Sequence, residues 1–169
     1  MNNTVTKDRA KAGEREDLQQ FVTFTIGTET YGVDVLKVHE IIGMTDITFV
    51  PNSLPFMKGV INLRGKVIPV VDLRLRFGMP NMDYTERTCI IVVEMGSPGG
   101  MLHIGTVVDA VSEVLNIKSE DIADTPSFGA KFNADYILGM AKMGKDVKLL
   151  LDIDRVLSSE EQVQFKQAA

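Results

Sequence analysis

A chain of 169 residues, 44% hydrophobic and 24% charged, can bury its own core without a disulfide or structural metal, as one domain or as two small ones. Eighteen Lys and Arg against 23 Asp and Glu leave a net charge of -5, and no basic cluster suits a phosphate backbone, so nucleic acid is excluded as an expected partner. The single cysteine, Cys89, rules out an intramolecular disulfide and a cysteine-built zinc site, as in a reducing compartment.

Residues 1–17 mix charges of both signs around one sizeable apolar side chain beyond the initiator, Val5, and read as a flexible tail. They lack the apolar centre of a signal peptide, and no apolar run in the chain nears the ~18 residues of a membrane span. The expected location is the cytoplasm, with no direct membrane insertion. From Leu18 onward, short runs of Val, Ile, Thr and Phe separated by Gly, Pro, Asn and Asp predict strands joined by turns. Val22, Phe24 and Ile26 alternate with threonines, so the strand over 21–26 turns them to one face. Residues 31–35 predict the returning strand, and 36–42 a short helix or a further strand, which periodicity does not decide. Residues 60–63 and 67–71 flank Arg64, Gly65 and Lys66 as a hairpin, in which Pro69 predicts a sheet edge or a bulge. Strands are expected again over 88–95, 102–108, 111–117, 137–143 and 147–153. Helix is expected only over 73–77, capped by Asp72, and from Ser158 into the end of the chain.

A weak duplication runs through this pattern. The stretch from Gly59 to Asp72 parallels that from Gly139 to Asp152, each glycine lying three residues after an aromatic, Phe56 or Tyr136. VHEII at 38–42 matches VSEVL at 111–115, and VTFTIG at 22–27 matches IVVEMG at 91–96. Two small barrels of about five strands each are expected, because closure removes exposed sheet edges.

Catalytic groups are scarce. His39 and His103 are the only histidines and show no paired-ligand spacing, so no metal site is assigned, and a His39–Cys89 dyad has no supporting arrangement. Residues 96–100, GSPGG, lack the lysine of a phosphate loop and read as a flexible hairpin tip. Asp34, Asp72, Asp109 and Asp152 sit at element boundaries, where aspartates cap backbone amides. Two residues look unspent on folding. Arg64, at a hairpin tip, could face a partner carboxylate or simply be solvated. Glu40, beside Val38, suits an interface margin, although half-buried strand ends look the same.

Taken together, YGVDVLKVHEI at 31–41, VPN at 50–52, FMKGVINLRGKVIPVVDLRLRFG at 56–78, VVDAVSEVL at 107–115 and LLLDIDRVLS at 149–158 resemble the CheW family of chemotaxis coupling proteins. The resemblance implies an all-β fold of two intertwined five-stranded SH3-like β-barrels with short helical segments. It spans 18–158, with subdomains of about 18–86 and 87–158, strand exchange between them left open, and 159–169 as a tail or short helix. It also implies an adaptor with no catalysis and no cofactor, whose partners are the regulatory domain of the histidine kinase CheA and the cytoplasmic tip of methyl-accepting chemoreceptors, in arrays at the inner face of the membrane. Carried over by motif, Val38, Glu40, Gly59, Arg64 and Gly65 fall on positions of receptor or kinase coupling, and Val111 and Val114 on the equivalent segment of the second half. The chain departs from the pattern over 96–103, where the loop between paired strands reads as longer than usual. Two other classes remain: an enzyme using His39 or Cys89, and a stand-alone SH3-like peptide-binding module.

Overall fold

Alternating apolar residues are satisfied here by strands that bury one or both faces. The structure is a computed structural model that describes residues 18–97, 100–123, 136–158 and 161. In chain order the strands are β1 (Leu18–Ile26), β2 (Glu29–Asp34), β3 (Val38–Gly43), β4 (Met57–Leu63), β5 (Lys66–Asp72), β6 (Cys89–Ser97), β7 (Gly100–Val108), β8 (Ala110–Lys118), β9 (Ile122–Ala123), β10 (Ile137–Met143) and β11 (Asp146–Leu151). One helical turn, α1 (Leu73–Arg76), follows β5, and single 3-10 turns occupy Val35–Lys37, Ser119–Asp121 and Ile153–Arg155. The segment over 36–42 is thus both alternatives in succession, a 3-10 turn and then β3. Ser158 N–H donates to Glu161 Oε1 and Glu161 N–H to Ser158 Oγ, the reciprocal bonds that open a helix. The expected tail over 1–17, and the rest of 159–169, lie outside the described residues. Among the described residues no helix is long and apolar enough to cross a membrane.

The strands form two sheets, ordered β8-β1-β2-β11-β10-β9 and β3-β6-β7-β5-β4. Exchanging each strand for its repeat counterpart (β1 with β6, β2 with β7, β3 with β8, β4 with β10, β5 with β11) converts one order into the other. Thr48, bonded both ways to Val60 at 2.8 Å, stands where β9 stands in the first sheet. Neither sheet is drawn from one half, since β3 pairs with β6 and β8 with β1. The duplication extends to fine detail. Both β4–β5 and β10–β11 carry a bulge at the glycine, Gly59 or Gly139. Asp72 N–H donates to Phe56 O at 2.9 Å, as Asp152 N–H does to Tyr136 O at 2.8 Å.

All four boundary aspartates accept from backbone amides: Asp34 from Leu36, Asp72 from Arg74, Asp109 from Gly27 and Asp152 from Asp154. Two expectations are corrected. Pro69 lies on an interior strand, because β5 pairs with both β4 and β7. The parallel ladder to β7 begins only at Val70, so it does not call on the amide that Pro69 lacks. The 96–103 segment is mostly ladder: β6 and β7 stay paired to Ser97 and Gly100, and both Met101 and His103 lie in β7. Ladder hydrogen bonds are backbone bonds, so glycines weaken this tip without forbidding it.

Among the described residues, three apolar clusters form the core. The largest lies between the sheets and includes Val22, Phe24, Ile26 and Val33 from one, Ile91, Val93, Met95 and Ile104 from the other, and Leu73 and Ile153 from the turns after β5 and β11. Within the β3–β7 barrel sit Ile61, Ile68, Val70, Ile90, Val92 and Val107; within the other, Phe21, Ile117, Ala141 and Leu150. Stacked rings cross the junction, with centroid separations of 5.9 Å for Phe24–Tyr31, 5.3 Å for Tyr31–Phe77 and 5.0 Å for Phe77–Tyr136.

Burial raises the pKa of Tyr31, aided by Glu29, and of Tyr136; burial and the Asp72 carboxylate raise that of Tyr84. The folded chain therefore holds these protons above pH 10, where the unfolded chain releases them. Their contribution to stability is full below pH 10 and is lost as pH rises beyond it. Alkaline titration followed by tyrosinate absorbance is expected to show all three tyrosines of the chain ionising late and together with loss of near-ultraviolet circular dichroism. Ordinary, independent titration in the folded protein is the contrary result.

Candidate functional site

Leu63 pairs with Lys66, so Arg64 and Gly65 form a two-residue hairpin turn with φ of +50° and +88°. A mirror-image turn of this kind favours Asn or Gly at its first central residue. The tip of β10–β11 follows that rule with Gly144, φ +65°, at the matching position. Arg64 therefore holds a left-handed conformation that costs an L-residue about 1–2 kcal/mol. Asn62 Oδ1 secures the turn by accepting Gly65 N–H at 2.8 Å.

The guanidinium of Arg64 reaches the Glu40 carboxylate on β3. Since β3 and β4 end the sheet order, this ion pair spans the gap between the two edge strands. Arg64's side chain is 69% exposed and that of Glu40 23%, and a pair so wet contributes at most about 1 kcal/mol. Its effect is to aim the guanidinium while leaving most of the side chain exposed.

The other predicted residues divide by role. Val38 and Val111 are half-buried against the central cluster, so they anchor β3 and β8. Val114 is 53% exposed, and its repeat counterpart Ile41 43%. Val67 and Val147, also counterparts, are exposed beside the two hairpin tips. Each barrel thus leaves the same two aliphatic positions uncovered. Ile41, Val67 and Val147 were missed by sequence reasoning, although the duplication aligns Ile41 with Val114. Gly59 is enclosed: a Cβ there would lie 2.0 Å from Thr48 O, at φ +146°.

The structure separates His39 from Cys89. On the β3–β6 ladder Val38 pairs with Val93 and Gly43 with Cys89, which puts the two side chains at opposite ends, about 13 Å apart at the usual strand rise. It brings together instead two histidines that the sequence presents as unrelated, His39 and His103, whose rings stack at 4.6 Å.

Electrostatic ties brace the surrounding frame. Lys37 is held protonated above its usual range chiefly by its 2.9 Å hydrogen bond to Asp154. Arg74 pairs with Asp109, whose Oδ2 also accepts Gly27 N–H at 2.7 Å.

Replacing Gly59 by Ala is expected to cost at least about 2 kcal/mol, because methyl and backbone oxygen compete for one space at an unfavourable φ. Gly65→Ala, with open space around it, is expected to cost only about 1 kcal/mol. Urea denaturation of both variants measures the difference, and equal losses would contradict the assigned packing.

The CheW-like domain family matches this chain over residues 20–161. Chemotaxis protein CheW of Klebsiella aerogenes is 41% identical over 143 residues, 85% of this chain and 84% of that protein. The protein of the same name from Thermotoga maritima is 33% identical over 82% of this chain and 87% of its own. Among solved structures, the scaffolding protein TtCheW from Thermoanaerobacter tengcongensis superposes with a TM-score of 0.75 at 32% identity, covering 85% of this chain and 96% of that one. The paired SH3-like barrels and the sequence agreement along them lead to one conclusion: the chain belongs to the CheW family of chemotaxis scaffold proteins.

Proposed function

We propose that this chain works in the cytoplasm as a non-catalytic adaptor that couples the cytoplasmic tips of methyl-accepting chemoreceptors to the regulatory domain of the histidine kinase CheA. The observation that carries the reading is Arg64. A long cation occupies a turn position where the sister hairpin uses glycine, so the fold gains nothing from it, and the ion pair to Glu40 holds it outward. Arginine displayed in this way suits a partner carboxylate or carbonyl.

The matched aliphatic positions, Ile41 with Val67 and Val114 with Val147, support two docking faces of similar chemistry, one per barrel. An adaptor needs that arrangement, since it acts by holding two partners at high local concentration and by contacting one kinase state better than another. Val38, Glu40, Arg64 and Gly65 serve the face on the β3–β7 barrel, Val111 and Val114 the face on the other, and Gly59 keeps the first hairpin in place.

Arg64→Gly separates function from folding. Stability is expected to stay the same or rise by up to about 1 kcal/mol, because glycine relieves the left-handed strain. Receptor-stimulated CheA autophosphorylation, followed with labelled ATP while the protein is titrated in, is expected to need at least about thirtyfold more protein, as fits losing a charge-assisted contact worth about 2 kcal/mol or more. Coupling by the variant at unchanged concentration would remove Arg64 from the site. Absence of any stimulation by the unsubstituted protein, with competent partners, would remove the adaptor reading.

A further inference from the structure

We propose that His39, Glu94 and His103 form a binding site for a borderline transition-metal dication of the Zn2+, Ni2+ and Cu2+ class at the mouth of the β3–β7 barrel. The three residues lie on adjacent strands β3, β6 and β7. Glu94 and His103 are direct cross-strand partners. They continue the rows that carry Ile90 and Val92 on β6 and Val107 on β7 into the barrel interior, so they lie where that interior opens. His39 is the additional residue of the bulge between Val38 and Glu40, and bulges re-aim side chains.

The ligand atoms already converge. His103 Nε2 lies 3.1 Å and His39 Nδ1 3.7 Å from the same oxygen, Glu94 Oε1. One ligand atom from each residue fits within 4.8 Å of the others. A tetrahedral ion with bonds of about 2.0–2.1 Å holds its ligands about 3.3 Å apart, so rotation of the stacked imidazoles closes the set, with water completing the coordination. Imidazole nitrogens with one carboxylate suit borderline ions rather than Ca2+ or Mg2+. With Nδ1 on the metal, the Nε2–H of His39 faces Glu40 Oε1, now 3.8 Å away, on the side where an outer carboxylate orients a ligating imidazole. Glu40 is in turn paired with Arg64.

The duplication shows that the fold does not require these residues. At the matching positions of the other barrel stand Ser112, on a bulge of the same kind, and Thr25 and Thr30, cross-strand partners as Glu94 and His103 are. None of the three carries a ligand of comparable strength.

Untagged full-length protein titrated with zinc chloride is expected to bind one ion per chain by calorimetry, with the 15N resonances of both imidazoles shifting together. His39→Ser, Glu94→Thr and His103→Thr, each borrowed from the sister barrel, are expected to weaken binding at least about tenfold, and the double histidine variant to abolish it. Cys89→Ser is expected to bind as the parent does. Binding that survives in the double variant, that is lost in Cys89→Ser, or that never saturates overturns the proposal. The imidazole resonances of the unsubstituted protein decide the question even where a variant fails to fold.

Discussion

Strands β1 and β6 are buried on both faces, and the layer that they share constrains everything else in the molecule. Along β6, Ile90 and Val92 point into one barrel while Ile91 and Val93 point into the layer between barrels. Along β1, Phe21 points into the other barrel, and Val22, Phe24 and Ile26 meet the same layer from the opposite side. A fully buried side chain of this size contributes about 1.5–3 kcal/mol, so the layer outweighs any surface ion pair. Buried threonines beside it are satisfied: Thr106 Oγ1, on the layer side of β7, donates to Ile91 O at 2.8 Å, and Thr23 Oγ1, on the barrel side of β1, donates to Glu113 O at 2.7 Å.

Crossing of strands follows from the same constraint. With β3 on β6 and β8 on β1, each barrel closes only when both halves of the chain are present, so the barrels share one interface and cannot part without losing strands. Contacts at the seam reinforce it. Arg76 lies 4.8 Å over the Phe56 ring and donates from Nε to Val156 O at 2.8 Å, tying the turn after β5 to the segment after β11. A scaffold that must present two faces in fixed relation benefits from such stiffness, whereas an enzyme that needs a closing lid would not.

Strain and spare chemistry gather away from that layer, around the mouth of one barrel. Arg64 occupies a glycine-like conformation, His39 a bulge, and Glu40 lies between them, within reach of both. The sister barrel performs the same structural tasks with Gly144 and Ser112 in place of Arg64 and His39, and keeps a glutamate, Glu113, where Glu40 stands. Two copies of one architecture thus differ where a partner or an ion would be met and agree where packing decides.

Much of the fold was legible from local pattern. Alternation at Val22, Phe24 and Ile26 marks a strand face whatever the partner strand, and an aspartate at an element boundary finds a nearby amide at Asp34, Asp72 and Asp152 without help from distant chain. The repeat was legible because both halves solve the same packing problem with similar residues, and the place of Arg64 at a hairpin tip because Gly65 between two apolar runs marks a tight turn. Strand partners were not legible. Whether β5 lies at an edge despite Pro69, whether β3 joins β6, and whether Glu94, His103 and His39 meet all depend on how barrels closed across long sequence separations share one buried layer. Residue pattern by itself determined which side chains turn inward; only the closure of the two sheets around that layer decided which outward ones would face each other.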